Sequence, residues 1–191
     1  MKEIILASAS PRRLELLKQI GVQFTVVSSD IEENADERQS PEEIVKELAF
    51  RKAMDVAKRI APGPLVIGAD TIVVKNGILG KPENEKRAFS MLQTLGGEWH
   101  EVVTGVAVID SLSMVSVKGA EKTRVKMKEL TIESINAYIK TGEPMDKAGA
   151  YGIQGLGAVL VEKIEGCYFN VVGLPLMKLS TILEEFGVKI L

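Results

Sequence analysis

The sequence predicts an α/β protein built on a mixed, twisted sheet with flanking helices, and three observations predict it. Short apolar, strand-like runs alternate with long helical patterns through the first half, the signature of an α/β core. Two long extended stretches follow, roughly 101–109 and 114–127, joined by a short polar turn, so the sheet is not wholly parallel. The 191 residues are 46% hydrophobic and 26% charged, an ordinary globular balance. A chain of this length buries about 70% of the surface its unfolded form exposes.

The elements follow in order. Ile4, Ile5, Leu6 and Ala7 form a buried first strand. Ser10 is placed as N-cap and Pro11 as first helical residue, where its missing N–H costs nothing. Leu14, Leu16, Leu17 and Ile20 give that helix its apolar face, and Gly21 ends it. A strand over 24–27 precedes the acidic stretch 30–37. Ser40-Pro41-Glu42-Glu43 starts a second helix, with Glu43 set to complete a capping box, running toward Ile60. Residues 65–69 form a second central strand, with extended character through 71–74, and Asn76-Gly77 predicts a two-residue hairpin. A helix over 85–95 carries Ala88, Met91, Leu92 and Leu95 inward. Thr104, Val106 and Val108 share one face of the next strand. A helix runs from about Thr131 to Thr141, and the Gly-rich segment 142–157 reads as a shaped loop or short helical turn. Strands are expected at Val159-Leu160-Val161 and at Val171-Val172, with a closing helix over 175–186.

Several function classes are disfavoured by composition. The net charge of −2 argues against a dedicated nucleic-acid binder, although a small anion needs only a few basic groups. A single cysteine, Cys167, excludes an intramolecular disulfide and a cysteine zinc cluster. The N-terminus is too quickly polar for a signal peptide, and no apolar run approaches the ~20 residues of a membrane span, so a cytoplasmic, non-membrane protein is expected.

Two readings compete at each polar motif. Ser8, Ser10, Arg12 and Arg13 lie at a strand-to-helix junction, where helix N–H groups and guanidinium forks receive anions. The same residues equally make a capped helix with solvated arginines. No Gly-x4-Gly-Lys-Ser/Thr run is present. Asp70, read as ending a central strand beside Thr71, suits divalent-ion binding or water orientation, or simply a turn. Glu32, Glu33 and Asp36 offer further oxygens or a solvated acidic loop, without separating magnesium from manganese. Lys52 and Lys81 are able to neutralise phosphoryl charge, though most lysines are exposed. Gln154, in a glycine-dense stretch, can donate to and accept from a nucleobase edge. His100 reads as surface or interface packing, Trp99 as packing, and Cys167 lacks a local signature for a nucleophile.

Taken as an ordered set, Leu6-Ala7-Ser8-Ala9-Ser10-Pro11-Arg12-Arg13, Gly68-Ala69-Asp70-Thr71, Gly80-Lys81-Pro82, segment 142–155 and Asn170-Val171-Val172-Gly173-Leu174-Pro175 resemble the Maf family of nucleotide pyrophosphatases. The resemblance spans nearly the whole chain. It implies a fold similar to inosine triphosphate pyrophosphatases, with one domain of two lobes around a substrate cleft. It also implies divalent-metal-dependent cleavage of a nucleoside triphosphate to monophosphate and pyrophosphate, with Mg2+ or Mn2+ as cofactor. Asp70 matches the proposed catalytic base; Arg12, Thr71 and Gln154 match positions of substrate selection. Ser10, Arg13, Lys52 and Lys81 match phosphate-holding positions, and Glu33 and Asp70 metal-holding ones. The run Ala150-Tyr151-Gly152-Ile153-Gln154-Gly155 is most similar to the dTTP/UTP branch rather than the 7-methyl-GTP branch. Housecleaning of unwanted or modified pyrimidine nucleotides by a homodimer is the expectation. The alternative is a non-catalytic nucleotide or nucleic-acid binding protein associated with cell-division or septum control.

Overall fold

The computed structural model describes residues 2–32, 34 and 38–191. Glu33 and Asp36, both candidate oxygen donors, lie outside the described residues. The strands are β1 (Ile4–Leu6), β2 (Thr25–Val26), β3 (Leu65–Val74), β4 (Ile78–Leu79), β5 (Trp99–Asp110), β6 (Ser116–Met127) and β7 (Val161–Glu165). The helices are α1 (Pro11–Gln19), α2 (Pro41–Arg59), α3 (Glu85–Leu95), α4 (Ile132–Lys140), α5 (Tyr168–Val172) and α6 (Leu176–Glu185). The sheet runs β2-β1-β3-β5-β6-β7, with β4 paired to β3. β1 is parallel to β2 and β3, whereas β3–β4 and β6–β7 are antiparallel, so the sheet is mixed as expected. No helix among the described residues is long and apolar enough to cross a membrane.

The chain divides into two compact units. The first comprises residues 1–70, 104–121 and 173–191; the second comprises 71–103 and 122–172. In the first, Ile5 of β1, Ala7 directly after it and Val66 of β3 pack with Ala49, Ala53 and Val56 of α2. Glycine is required on the strands there. A Cβ on Gly68 would lie 2.1 Å from the Ala49 carbonyl oxygen, and one on Gly105 would lie 2.1 Å from that of Val45. The α2 backbone therefore rests almost directly on the strands. In the second unit, Ala88, Met91, Leu92 and Leu95 of α3 are buried with Ile135, Tyr138 and Ile139 of α4 against Val73, Val102 and Val125. The helical period alone marks all four inward residues of α3.

Five readings change. Asp70 does not end a strand: β3 is one continuous element of 10 residues, and Asp70 lies inside it. Residues 71–74 continue the ladder because β4 pairs with Val73 and Val74. The Asn76-Gly77 turn spans three residues, 75–77, between the paired Val74 and Ile78, one more than expected. The expected strand at Val159-Leu160-Val161 is largely a 3-10 segment, Gly155–Leu160, with β7 starting at Val161. Val171-Val172 lies in α5, not in a strand, since Asn170 is held by Val102 and Thr123 and the backbone curls around it. His100 is not at the surface: it is 3% exposed and bonded to the Tyr151 hydroxyl at 2.7 Å.

Candidate active site

In the first unit the chemistry starts from the close approach of α2 to β3. Side chains two apart on a strand share a face, so Asp70 points the same way as Gly68, toward α2. Lys52 lies on α2 between Ala49 and Ala53, the two residues over Gly68. Its Nζ donates to Asp70 Oδ1 at 2.6 Å, with both residues buried. Neither charge is isolated, which is the condition for keeping an ion pair out of water. Removing one partner from such a pair costs about 3–5 kcal/mol, because the other charge remains buried.

The β1-to-α1 junction supplies a second polar centre. Ser10 occupies the N-cap position and Pro11 follows it, as expected, but the Ser10 side chain makes no cap bond. The Ser10 carbonyl instead accepts from the N–H groups of Arg13 and Leu14, at 3.1 and 3.2 Å. Ser8, buried after β1, accepts from the Ser10 N–H at 3.3 Å and from Arg13 Nη1 at 3.2 Å. Arg13 Nε donates to the Gly173 carbonyl at 2.8 Å. Two ends of the chain thus fix the Arg13 guanidinium, which sets a positive charge beside Ser10. Arg12, one residue before, is half-buried. Farther along, Arg51 of α2 donates to the carbonyls of Glu32 and Asn34, at 2.8 and 2.9 Å.

The second unit holds Thr71, Lys81 and Gln154. Thr71, half-buried, follows Asp70 in β3, and Lys81 is exposed after β4. The Gly80 carbonyl beside Lys81 accepts from the Gly149 N–H at 3.0 Å. Gly149 has φ +70, and a Cβ there would stand 2.9 Å from Val73 Cγ2. The loop that carries Gln154 is therefore docked on β3 and on the residue preceding Lys81. Segment 142–160 contains three 3-10 turns, Glu143–Asp146, Ala148–Ala150 and Gly155–Leu160, matching the shaped loop read from its glycines.

Residue types alone missed three participants: Gly173, which holds Arg13, and Tyr138 and Glu143, which hold the Gln154 loop. Glu143 Oε1 accepts from the Tyr138 hydroxyl and the Gly157 N–H, each at 2.9 Å, and Oε2 accepts from the Leu156 N–H at 3.0 Å. Burial works to raise the Glu143 pKa, but the Gly157, Leu156 and Tyr138 bonds and the Lys147 charge hold it below the usual carboxylate range. A signal for this role was present. An irregular glycine-rich segment must satisfy its N–H groups somewhere, and Glu143 is an acid within it.

The donor set also bears on a metal. Among the described residues no group of three or more His, Cys, Asp and Glu side chains is arranged to hold an ion. Asp70 supplies one buried carboxylate. That fits an ion of the Mg2+ type, which is commonly held by one or two carboxylates together with substrate phosphates.

This geometry belongs to a mixed α/β protein of a fold seen in a HAM1 protein from Coxiella burnetii, with a TM-score of 0.50. That match covers 66% of this chain and 73% of the other at 16% identity, and so concerns the fold alone. The sequence model of the family described as Maf-like protein matches residues 3–186, and the chain belongs to that family. It is 57% identical over 197 residues to the dTTP/UTP pyrophosphatase of Acetivibrio thermocellus, covering 100% of this chain and 98% of the relative. It is 55% identical over 185 residues to the dTTP/UTP pyrophosphatase of Alkaliphilus oremlandii, covering 97% and 96%.

Proposed function

We propose that this protein hydrolyses dTTP and UTP to the nucleoside monophosphate and pyrophosphate. The observation that carries the reading is the buried Lys52–Asp70 pair, in a chain 57% identical over its whole length to a dTTP/UTP pyrophosphatase. Asp70 orients the attacking water toward the α-phosphoryl group and accepts its proton, and a fixed, buried carboxylate suits that work. Lys52 holds Asp70 in place and adds positive charge where phosphoryl oxygens gain negative charge. Arg13, held by Ser8 and Gly173, is a preorganised cation for the phosphate chain, and Ser10 and Lys81 are further phosphate contacts. Arg12, Thr71 and Gln154 are assigned to substrate selection, with Gln154 pairing with the polar edge of uracil or thymine. Asp70, together with Glu33 as the resemblance implies, would hold a divalent ion, Mg2+ or Mn2+, which would neutralise phosphate charge.

The test is turnover of UTP, dTTP, CTP, ATP and GTP with Mg2+ or Mn2+, with pyrophosphate and monophosphate quantified. UTP and dTTP are expected to give one pyrophosphate per monophosphate, and chelation of the metal to stop the reaction. Asp70→Asn is expected to lower kcat by roughly 100-fold or more, with its melting temperature recorded alongside. Near-normal turnover by D70N would remove Asp70 from the reaction.

A further inference from the structure

We propose that Glu143 and Tyr138 form a positioning pair that fixes Gln154 for base selection; the inference rests on the pyrimidine nucleotidase reading above. The geometry converges on one carboxylate from both sides of Gln154. Downstream, the N–H groups of Leu156 and Gly157 donate to Glu143 Oε2 and Oε1, at 3.0 and 2.9 Å. Upstream, the Gly152 N–H donates to the Tyr138 hydroxyl at 3.2 Å, and that hydroxyl donates to Glu143 Oε1 at 2.9 Å. Ile153, Gln154 and Gly155 are the residues bracketed between these anchors.

The packing around the pair leaves little room for another arrangement. Gly155 has φ +65, and a Cβ on it would stand 2.8 Å from Glu143 Oε2. A Cβ on Gly157 would stand 2.5 Å from the Tyr138 hydroxyl and 2.3 Å from the Gly152 carbonyl oxygen. Both glycines therefore let the loop close onto the pair. The base of the pair is rigid as well. Tyr138 is 5% exposed on α4, and the Glu143 carbonyl accepts from Lys147 Nζ at 2.6 Å.

A reason for such a clamp follows from how bases are told apart. A side-chain amide rejects a wrong base by leaving polar atoms unpaired, which works only if the amide is held in place. Positional tolerance in such a site is about 0.5 Å. A loop without a sheet ladder does not meet that tolerance unaided, because its N–H groups have no regular partners. Glu143 supplies two acceptors to two successive N–H groups and a third contact through Tyr138, and the carboxylate has lone pairs for all three.

Glu143→Gln tests the idea because it keeps the shape but replaces one acceptor oxygen with an NH2 group facing a backbone N–H. Tyr138→Phe removes only the upstream link. For wild type and both variants, kcat and KM would be measured with UTP, dTTP, CTP and ATP, and amide hydrogen exchange followed at Gly152, Leu156 and Gly157. In E143Q, kcat/KM for UTP and dTTP is expected to fall roughly ten- to a hundredfold, mainly through KM, while the poor substrates change little. Exchange at Leu156 and Gly157 should accelerate. Y138F should move the same ratio in the same direction by less, with faster exchange at Gly152, and it carries the test if E143Q fails to fold. Equal loss on all four nucleotides, or an unchanged substrate ratio, would overturn the proposal. A wild-type protein that turns over no nucleotide would overturn the hydrolase reading instead, and unchanged exchange in the variants would then sink the clamp itself.

Discussion

A lysine in the middle of a helix face reads as solvent-exposed until its partner is known, and for Lys52 the partner is Asp70, 2.6 Å away on β3. The residue types were legible in the sequence, but their pairing was not. It depends on how closely α2 approaches the strand, which no local pattern states. His100 shows the same gap. With no metal-binding neighbours in sequence it reads as surface packing, yet it lies in the second unit's interior, edge-on to Tyr151 at 5.3 Å between ring centroids. Burial, and secondarily the charge of Lys75, lowers its pKa from 6.5 to about 4. An unfolded chain therefore binds more protons than the folded one between those values, so stability is full above about pH 6.5 and falls as pH drops toward 4. The loss at pH 4 is on the order of 3 kcal/mol. Urea unfolding at pH 7 and pH 4.5 is expected to show this slope in the wild type and a flatter one in His100→Phe. Equal slopes would mean that the folded protein protonates His100 as readily as the unfolded chain does.

At the scale of elements, regular periods were readable and irregular closures were not. α3 was legible down to its four buried residues, because one apolar stripe at helical spacing admits a single orientation. Ser40 caps α2 by accepting from the Glu43 N–H at 3.3 Å, although the Glu43 carboxylate pairs with Lys46 rather than closing the box. Val159-Leu160-Val161 and Val171-Val172 misled because β-branched residues favour strands only when a neighbouring strand receives them. Here the first run is mostly taken into a 3-10 segment packed on Glu143 and Tyr138, and the second into a helix anchored by Asn170. The strand–helix contact at Gly68 ties element geometry to chemistry. Gly68→Ala places a methyl group against the Ala49 carbonyl, which should push α2 away, cost about 1–3 kcal/mol and loosen the Lys52–Asp70 bond. Thermal unfolding combined with UTP turnover checks this. Wild-type stability and activity in G68A would show that α2 has slack there.

For the molecule as a whole, the fold class was legible from alternation and hairpins, and the family from ordered motifs spread along almost the whole chain. Composition contributed mainly exclusions: a net charge of −2 and one cysteine leave little scope for an extended basic face or a disulfide framework. Arg13 and Lys52 are both fixed by bonds of their own. The proposed reaction turns on attack of water at the α-phosphoryl group. Hydrolysis of UTP in 18O-labelled water, followed by mass spectrometry of the products, tests it most directly. One labelled oxygen is expected in UMP and none in pyrophosphate. Label in pyrophosphate, or release of UDP with labelled orthophosphate, would contradict it.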